Sequence, residues 1–385
     1  MASEIVPAAG EMPADPAGPR VCIVGPVRPY RGGIAQHTES LATAMRDFAS
    51  VRVFSFAKQY PQSLYPGETD IDPDLDPLPD VDYSLSATRP LSWRKTVDRM
   101  IALAPDVVVF AWWTLFWQPW TAYMARRLRR AGVRTVFLCH NLGDHGAGRV
   151  RRRLSRLMLS SADGYIVHAE ALRSELTRIV PDRPVMARAH PVYDRFPAPA
   201  RMREPRGRLE ILFFGFIRPY KGLEVLLEAM ALLDDDEVHL TIVGECWDQP
   251  DRWREGAAAL RAETVLRYVS DAEAAEYFAR ADLVVLPYRS ATGSGVVSAA
   301  FHYGTPVLAT RVGGLVDVID ESTGILVPPG DARALADALR TATRESCAEL
   351  GRGVRAFAGR NTWGAFAGAV VSEFADRRPR GDRVA

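Results

Sequence analysis

The sequence has almost no net charge and no long hydrophobic run, and each shortage excludes a class of protein. Its 48 basic residues balance 47 acidic ones, and a formal charge of +1 gives no overall field for nucleic acid or an anionic membrane. The longest apolar stretches, such as residues 106–117, fall short of the ~20 residues that a membrane-spanning helix needs. We therefore expect no nucleic-acid partner and no transmembrane segment.

Cysteine is also scarce, and its few positions are widely separated, which does not suggest a disulfide framework. Residues 1–19 lack the basic start and apolar stretch of a secretion signal, and we expect them to form a disordered lead. Both features indicate a reduced cytoplasmic protein. The cysteines are Cys22, Cys139, Cys246 and Cys347.

Lysine is the scarcest charged residue: the chain has three, and arginine supplies every other cation. A lysine in a chain that otherwise uses arginine suggests chemistry that arginine does not supply. The three are Lys58, Lys95 and Lys221. Lys221 lies in a loop after an apolar run.

Short apolar runs alternate with amphipathic segments along the whole chain, a pattern typical of βαβ units and a parallel sheet. The predicted fold class is α/β with two doubly wound domains, whose ligands bind beyond the carboxyl ends of the strands; the cleft between two such domains is the expected site. Predicted strands cover 21–25, 51–56, 106–112, 134–139 and 164–168, then 211–215, 238–244, 263–269, 282–287, 306–310 and 324–328. Predicted helices cover 34–48, 92–104, 119–131, 149–161 and 169–179, then 222–233, 271–280, 295–303, 331–343 and 362–376.

A stretch rich in Pro and Arg, without hydrophobic periodicity, separates the two series and reads as a linker. The predicted organisation is a first domain at 20–192, a linker at 193–208, a second domain at 209–361, a final helix at 362–376 and a basic tail at 377–385.

Two strand-to-helix loops have features of phosphate sites. Gly32 and Gly33 precede a helix and would present backbone N–H groups at its N-terminus, with His37 one turn further on. In the second domain, Arg218 and Lys221 occupy the equivalent loop, and two cations at a helix start neutralise a diphosphate without a metal.

A third such loop, within residues 287–314, offers Ser294 and Gly295 at a helix start as phosphate donors. Residues 293–298 (GSGVVS) approximate a dinucleotide fingerprint but lack its last glycine, and we discount an NAD site.

The segment 139–145 places polar side chains directly after a predicted strand, where such groups are often functional. A metal site from His140, Asp144 and His145 is an alternative, although this spacing matches no firm zinc rule. His168 is expected to be a packed or surface residue. The polar residues of the segment are His140, Asn141, Asp144 and His145.

Residues 149–159 form a short amphipathic helix with five arginines at 149–156. Such a helix suits contact with lipid phosphate at the inner face of a membrane. The alternative, an ordinary arginine-rich surface helix, is the one we favour, because arginine is frequent throughout the chain.

Several ordered motifs together resemble glycosyltransferase family 4, the retaining GT-B enzymes, over roughly residues 20–376. The resemblance rests on the GG loop at 32–33, His140, FGFIRPYKG at 214–222, YVSDAEAAEYFARADLVVLPY at 268–288, and GTPVLATRVGGLVDVID with TGILVPPGD at 304–331. It implies two Rossmann-like domains, with a C-terminal helix that crosses back to the first.

The resemblance also implies roles for the singled-out residues. Lys221, Arg218 and His140 would be catalytic, with the two cations on the donor diphosphate and His140 near the donor sugar. The donor-binding residues would be Gly32, Gly33, Tyr268, Val269, Thr292, Ser294 and Gly295. The acceptor-side residues would be His37, Asn141, Asp144 and His145.

The family often has two glutamates eight residues apart before the GTP turn, and here those places hold Ala291 and Ala299, or Thr292 and Ala300. The implied reaction moves a sugar from a UDP- or GDP-sugar to an acceptor without metal or other cofactor. The acceptor is a small molecule, a glycan, a lipid-linked saccharide or a thiol. A nucleotide-sugar epimerase of the same fold and a noncatalytic nucleotide-sugar-binding protein are the alternatives.

Overall fold

The computed structural model describes residues 18–60, 70–114, 116–142, 149–193, 196–199, 209–233, 238–246, 250–291 and 293–375, with backbone only at 149–152. These residues form two compact units. The first contains the described residues up to Arg188 together with those from Trp363 onwards, and the second covers Ala189–Thr362.

The first unit is built on a parallel sheet with strand order β3-β2-β1-β4-β5-β6-β7. Apart from the edge strand β7, its strands are buried along nearly their whole length, as expected when helices cover both faces of a parallel sheet. The strands are β1 (Arg20–Val24), β2 (Ser50–Lys58), β3 (Val81–Ser86), β4 (Val107–Trp112), β5 (Arg134–Cys139), β6 (Gly164–Val167) and β7 (Val185–Ala187). The helices are α1 (Gly33–Met45), α2 (Pro90–Ala102), α3 (Gln118–Arg130), α4 (Arg149–Leu159) and α5 (Glu170–Ile179).

The second unit repeats the design with strand order β10-β9-β8-β11-β12-β13. Several helices begin with a side-chain cap, for example α8, where Ser270 accepts a hydrogen bond from the Glu273 N–H at 3.3 Å. The strands are β8 (Leu209–Phe214), β9 (Val238–Val243), β10 (Glu263–Val265), β11 (Leu283–Leu286), β12 (Val307–Thr310) and β13 (Gly324–Val327). The helices are α6 (Leu223–Met230), α7 (Pro250–Ala259), α8 (Asp271–Arg280), α9 (Gly295–His302), α10 (Ala332–Thr341) and α11 (Arg344–Arg360).

The last helix, α12 (Trp363–Phe374), packs on α1 and so belongs to the first unit. Arg134 of β5 donates a hydrogen bond to the Phe374 carbonyl oxygen at 2.6 Å. A Cβ on Gly164 of β6 would lie 2.5 Å from the Phe374 ring, so this glycine leaves space for the helix end. The first unit is therefore completed by the end of the chain.

Residues 189–193 belong to the second unit, although the sequence places them in the first domain and the linker. Tyr193 is buried, and its N–H donates to the Ser298 hydroxyl at 3.1 Å. Residues 194–195 and 200–208 of the predicted linker lie outside the described residues, as do residues 1–17 and residues from 376 on, which include the predicted basic tail at 377–385. The predicted linker thus begins inside the second unit's packing, because Tyr193 has a buried polar partner there.

The structure contains elements that the sequence analysis did not predict: β3, β7, α7 and α11. The predicted strand at 263–269 is also too long, since β10 ends at Val265. As a result Tyr268 and Val269 lie in the loop after an edge strand.

Candidate functional site

In the second unit, chain order reverses between the neighbouring strands β8 and β11. Open α/β sheets bind ligands beyond the carboxyl ends of the strands at such a switch point. Here the loop after β8 runs from Gly215 to Gly222, and the loop after β11 runs from Pro287 to Ser294. We treat these two loops as the candidate nucleotide site.

The two loops are in direct contact at Gly222. This residue ends a 3₁₀ turn at Pro219–Lys221 with a left-handed φ of 67°. A Cβ there would lie 2.1 Å from the Pro287 carbonyl oxygen, so only glycine fits. The contact fixes where Lys221 enters the site, because it is the residue immediately before the glycine.

Lys221 is 7% exposed, which is unusual for a lysine. Burial, followed by the positive charge of Arg218, lowers the pKa of Lys221 to about 8. Its Nζ atom lies 5.5 Å from the centroid of the Tyr288 ring, from the loop after β11. Within the described part of the chain, no carboxylate forms an ion pair with this ammonium group. The site therefore holds a poorly solvated cation.

Ser294 caps α9, and its hydroxyl oxygen accepts from the Val296 N–H at 3.2 Å. The Tyr288 hydroxyl lies 3.4 Å from the Ser294 hydroxyl, which links this cap to the ring beside Lys221. A Cβ on Gly215 would lie 2.8 Å from Lys221 Nζ and 3.5 Å from a Val296 methyl group. The lysine ammonium and the first turn of α9 thus border the same point, and both favour an anion there.

The other residues predicted for the donor lie around this pair. Arg218 is partly buried at the start of the 3₁₀ turn. Tyr268 is 42% exposed, and Val269 is buried in the same apolar cluster as Tyr288. Thr292 lies outside the described residues.

The positions where the family often has glutamates contain no carboxylate. Ala299 is buried on α9, and Ala291 packs against the same apolar cluster. The cations of this site therefore face no such glutamate partner.

In the first unit, the corresponding glycine loop precedes α1. Gly32 has φ of 100° and caps the helix, which begins at Gly33. A Cβ on Gly32 would have no atom within 4 Å, so backbone conformation rather than space favours glycine there.

His37 of α1 is fully buried and lies among two other histidines. Its Nε2 atom is 2.8 Å from Nε2 of His168, the residue that follows β6. The ring of His140, which follows β5, meets the His37 ring edge to face with centroids 4.7 Å apart. Trp363 and Phe366 of α12 also pack against the His37 ring, both edge to face.

His168, which the sequence analysis expected to be a packed or surface residue, is half-buried and belongs to this histidine cluster. His37 and His168 are 131 residues apart, and only the strand order brings the ends of β1, β5 and β6 to one edge. The signal available in the sequence was a histidine directly after an apolar strand, which it shares with His140.

Asn141 donates from Nδ2 to the Trp113 carbonyl oxygen at 2.5 Å, which holds the start of its loop. Asp144 and His145 lie outside the described residues. The metal alternative for that loop therefore has one described residue, His140, and the structure places it beside His37 and His168 instead.

Helix α4 has exposed apolar side chains beside exposed arginines. Leu154 and Leu157 are 50% and 60% exposed, and Arg153 and Arg156 are exposed next to them. In the described part of the chain, no helix is both long and apolar enough to cross a membrane.

Two family models match the chain. Residues 32–192 match the "Glycosyl transferase 4-like domain", and residues 208–345 match "Glycosyl transferases group 1".

Curated relatives are similar over part of their length. A D-inositol 3-phosphate glycosyltransferase of Saccharomonospora viridis is 31% identical over 269 residues, which is 61% of this chain and 62% of the relative. A GDP-mannose:glycolipid 4-beta-D-mannosyltransferase of Xanthomonas campestris is 33% identical over 203 residues, covering 51% of this chain and 55% of the relative. The chain thus spans less than two thirds of these relatives.

Solved structures share the fold across nearly the whole chain. Sucrose-phosphate synthase from Thermosynechococcus elongatus has a TM-score of 0.71 at 21% identity and covers 92% of this chain and 98% of its own. Anabaena HepE in complex with UDP and glucose has a TM-score of 0.67 at 15% identity, with the same coverage.

Proposed function

Because this chain belongs to the family 4 glycosyltransferases, we propose that it transfers a sugar from a nucleoside-diphosphate sugar to an acceptor, with retention of anomeric configuration and without a metal ion. The observation that carries the proposal is the buried Lys221 ammonium beside the start of α9. The donor base is uracil or guanine: HepE is described with UDP, and the Xanthomonas relative is named for GDP-mannose.

The electrostatics of the second unit favour a diphosphate. A poorly solvated lysine cation and the positive end of a helix repel each other. An anion between them attracts both groups and offsets this repulsion. Arg218 adds a second cation on the same loop, and its charge already lowers the pKa of Lys221. A diphosphate bound to both would stabilise each of these groups.

The same groups supply the main catalytic effect in the proposed reaction. The bond from the anomeric carbon to the diphosphate breaks, and negative charge grows on the leaving oxygen, where fixed cations and N–H groups stabilise it. The acceptor attacks on the face that the diphosphate leaves, and the acceptor proton passes to the departing phosphate. No side chain then needs to act as a general base.

We assign the acceptor to the first unit, with His140 toward the donor sugar. One relative is named for D-inositol 3-phosphate and another for a glycolipid, so the names of the relatives leave both kinds of acceptor open. For this chain we favour a soluble acceptor, because the net charge is close to zero. We place the protein in the cytoplasm, where its cysteines stay reduced.

A panel of UDP- and GDP-sugars tests the donor assignment. A ligand that binds the folded state raises the melting temperature, and the donor should do so in the wild type but not in Lys221→Ala. Lys95→Ala, which removes an exposed lysine on α2, is the matched control. No shift with any donor in the wild type would contradict the proposal.

Product analysis then separates the functions. Sugar appearing on an acceptor supports the transferase, whereas an epimerised donor without acceptor indicates an epimerase. Stabilisation with neither product indicates a binding protein.

A further inference from the structure

Three histidines of the first unit converge at the carboxyl edge of its sheet. His37 comes from α1 after β1, His140 follows β5, and His168 follows β6. One ring nitrogen from each lies within 4.8 Å of the others. Three imidazoles from three separate strand ends form a set of nitrogen donors around one point.

The hydrogen bonds of His168 fix which of its nitrogens is available. Its Nδ1 atom lies 3.1 Å from the Arg188 carbonyl oxygen, which only accepts, so Nδ1 carries the hydrogen. Nε2 of the neutral ring is then an acceptor, and His37 donates its Nε2 hydrogen to it over 2.8 Å. Metal-binding histidines commonly donate their second ring N–H to a backbone carbonyl in this way.

We propose that His37, His140 and His168 bind a divalent transition metal of the zinc class. Imidazole nitrogen suits zinc, cobalt, nickel and copper, whereas magnesium prefers oxygen ligands. The ion takes the place of the hydrogen that His37 shares with His168, and that proton leaves to solvent. Water completes the coordination.

The distances are close to those of a metal site. Nitrogens bound tetrahedrally to zinc at ~2.0–2.1 Å lie about 3.3 Å apart. The His37–His168 pair has to open from 2.8 Å, and His140 has to approach. His140 and His168 are only partly buried, so their rings are less enclosed than the fully buried ring of His37. Trp363 and Phe366 pack against His37 and keep its ring in place.

The consequence for activity rests on the proposed function, in which His140 acts toward the donor sugar. A metal that binds His140 removes it from that role. Zinc should therefore inhibit the transferase rather than support it.

Cobalt binding tests the site without any activity measurement. The full chain, treated with chelator and then dialysed, is titrated with Co²⁺ alone, and visible absorption reports tetrahedral nitrogen ligands. We expect one Co²⁺ per chain, displaced by Zn²⁺ but not by Mg²⁺. His168→Ala should weaken binding at least tenfold, and His302→Ala, on α9 of the second unit, should not.

His37 is fully buried, so its variants are not needed for the test, and His140→Ala serves as the second ligand variant. Equal Co²⁺ affinity in the wild type and in both ligand variants would overturn the site. So would absence of binding in the wild type.

An activity arm separates this proposal from the proposed function. We expect Zn²⁺ to inhibit the wild type and His302→Ala and to inhibit His168→Ala much less. Cobalt binding without transfer to any acceptor contradicts the transferase but supports the site. Histidine-independent zinc inhibition contradicts the inhibitory role.

Discussion

Lys221 is the residue on which the nucleotide site depends most. Its ammonium is nearly buried beside the start of α9, so a diphosphate gains more from it than from an exposed cation. We expect Lys221→Ala to lower kcat by at least ~100-fold, as loss of one preorganised donor does in other enzymes. Arg218→Ala should cost less, because Arg218 is only partly buried.

Steady-state kinetics with the identified donor measure both variants. Circular dichroism confirms that they fold. Activity of Lys221→Ala within twofold of the wild type would remove Lys221 from the site.

The lowered pKa of Lys221 predicts a pH dependence of nucleotide binding. With a pKa of about 8, the free site loses its proton as the pH rises through 8, and a bound diphosphate raises that pKa again by stabilising the ammonium. Binding of UDP or GDP above pH 8 therefore takes up a proton, and affinity falls as the pH rises.

Calorimetry at pH 8.5, in two buffers of different ionisation enthalpy, counts that proton. In Lys221→Met the proton uptake should disappear. Uptake that persists in this variant would assign it to another group.

At this scale the sequence pointed to some residues and missed others for a physical reason. The scarcity of lysine singled out Lys221, and small residues before a helix indicated Ser294 and Gly295. His168 follows an apolar strand, as His140 does, but that position does not reveal its contact with His37, which lies 131 residues away and depends on strand order.

At the scale of loops and helices, the left-handed Gly222 is a point of direct contact between the two loops of the site. A methyl group there overlaps the Pro287 carbonyl oxygen and also strains the backbone at φ 67°. We expect Gly222→Ala to lower the free energy of unfolding by about 2 kcal/mol or more.

Gly293→Ala is the matched control, because a Cβ at Gly293 meets nothing within 4 Å. Urea denaturation of both variants measures the difference. Equal stabilities would mean that the loops rearrange at little cost.

Most strands and helices follow from hydrophobic periodicity, and the exceptions have identifiable causes. β7 is three residues long, too short for a pattern. Helix α11 contains Gly353, whose Cβ would lie 1.8 Å from the Ser322 carbonyl oxygen, so the glycine that weakens the helical pattern permits close packing.

For the molecule as a whole, we expect activity to survive EDTA. Arg218, Lys221 and the start of α9 neutralise the diphosphate in the proposed mechanism, so no metal is required. Turnover is measured after chelation and again with Mg²⁺ or Mn²⁺ added. Loss of activity that one divalent ion restores would contradict a metal-independent reaction.

Helix α4 gives a second prediction at this scale. With a soluble acceptor, the wild type should not float with anionic vesicles at physiological salt, despite the exposed Leu154 and Leu157. Vesicle flotation at low and physiological salt measures this.

Suppose that the wild type clearly floats with the vesicles and that the double variant Arg153→Glu, Arg156→Glu does not. This result would contradict a soluble acceptor. The charge-matched control, Arg130→Glu with Arg178→Glu, changes exposed arginines on α3 and α5. Each cation near such a surface contributes ~1 kcal/mol, so two reversals suffice.

The return of α12 to the first unit has a consequence for biosynthesis. The N-terminal part of the chain leaves the ribosome first, yet the aromatic side chains that cover His37 and the start of β6 come from residues 363–374. At ~5–20 residues per second, synthesis of the whole intervening second unit takes on the order of ten seconds or more. The half of the protein that is made first therefore reaches its final packing last, and a nascent chain stalled before Trp363 should expose the buried face of α1 to chaperones.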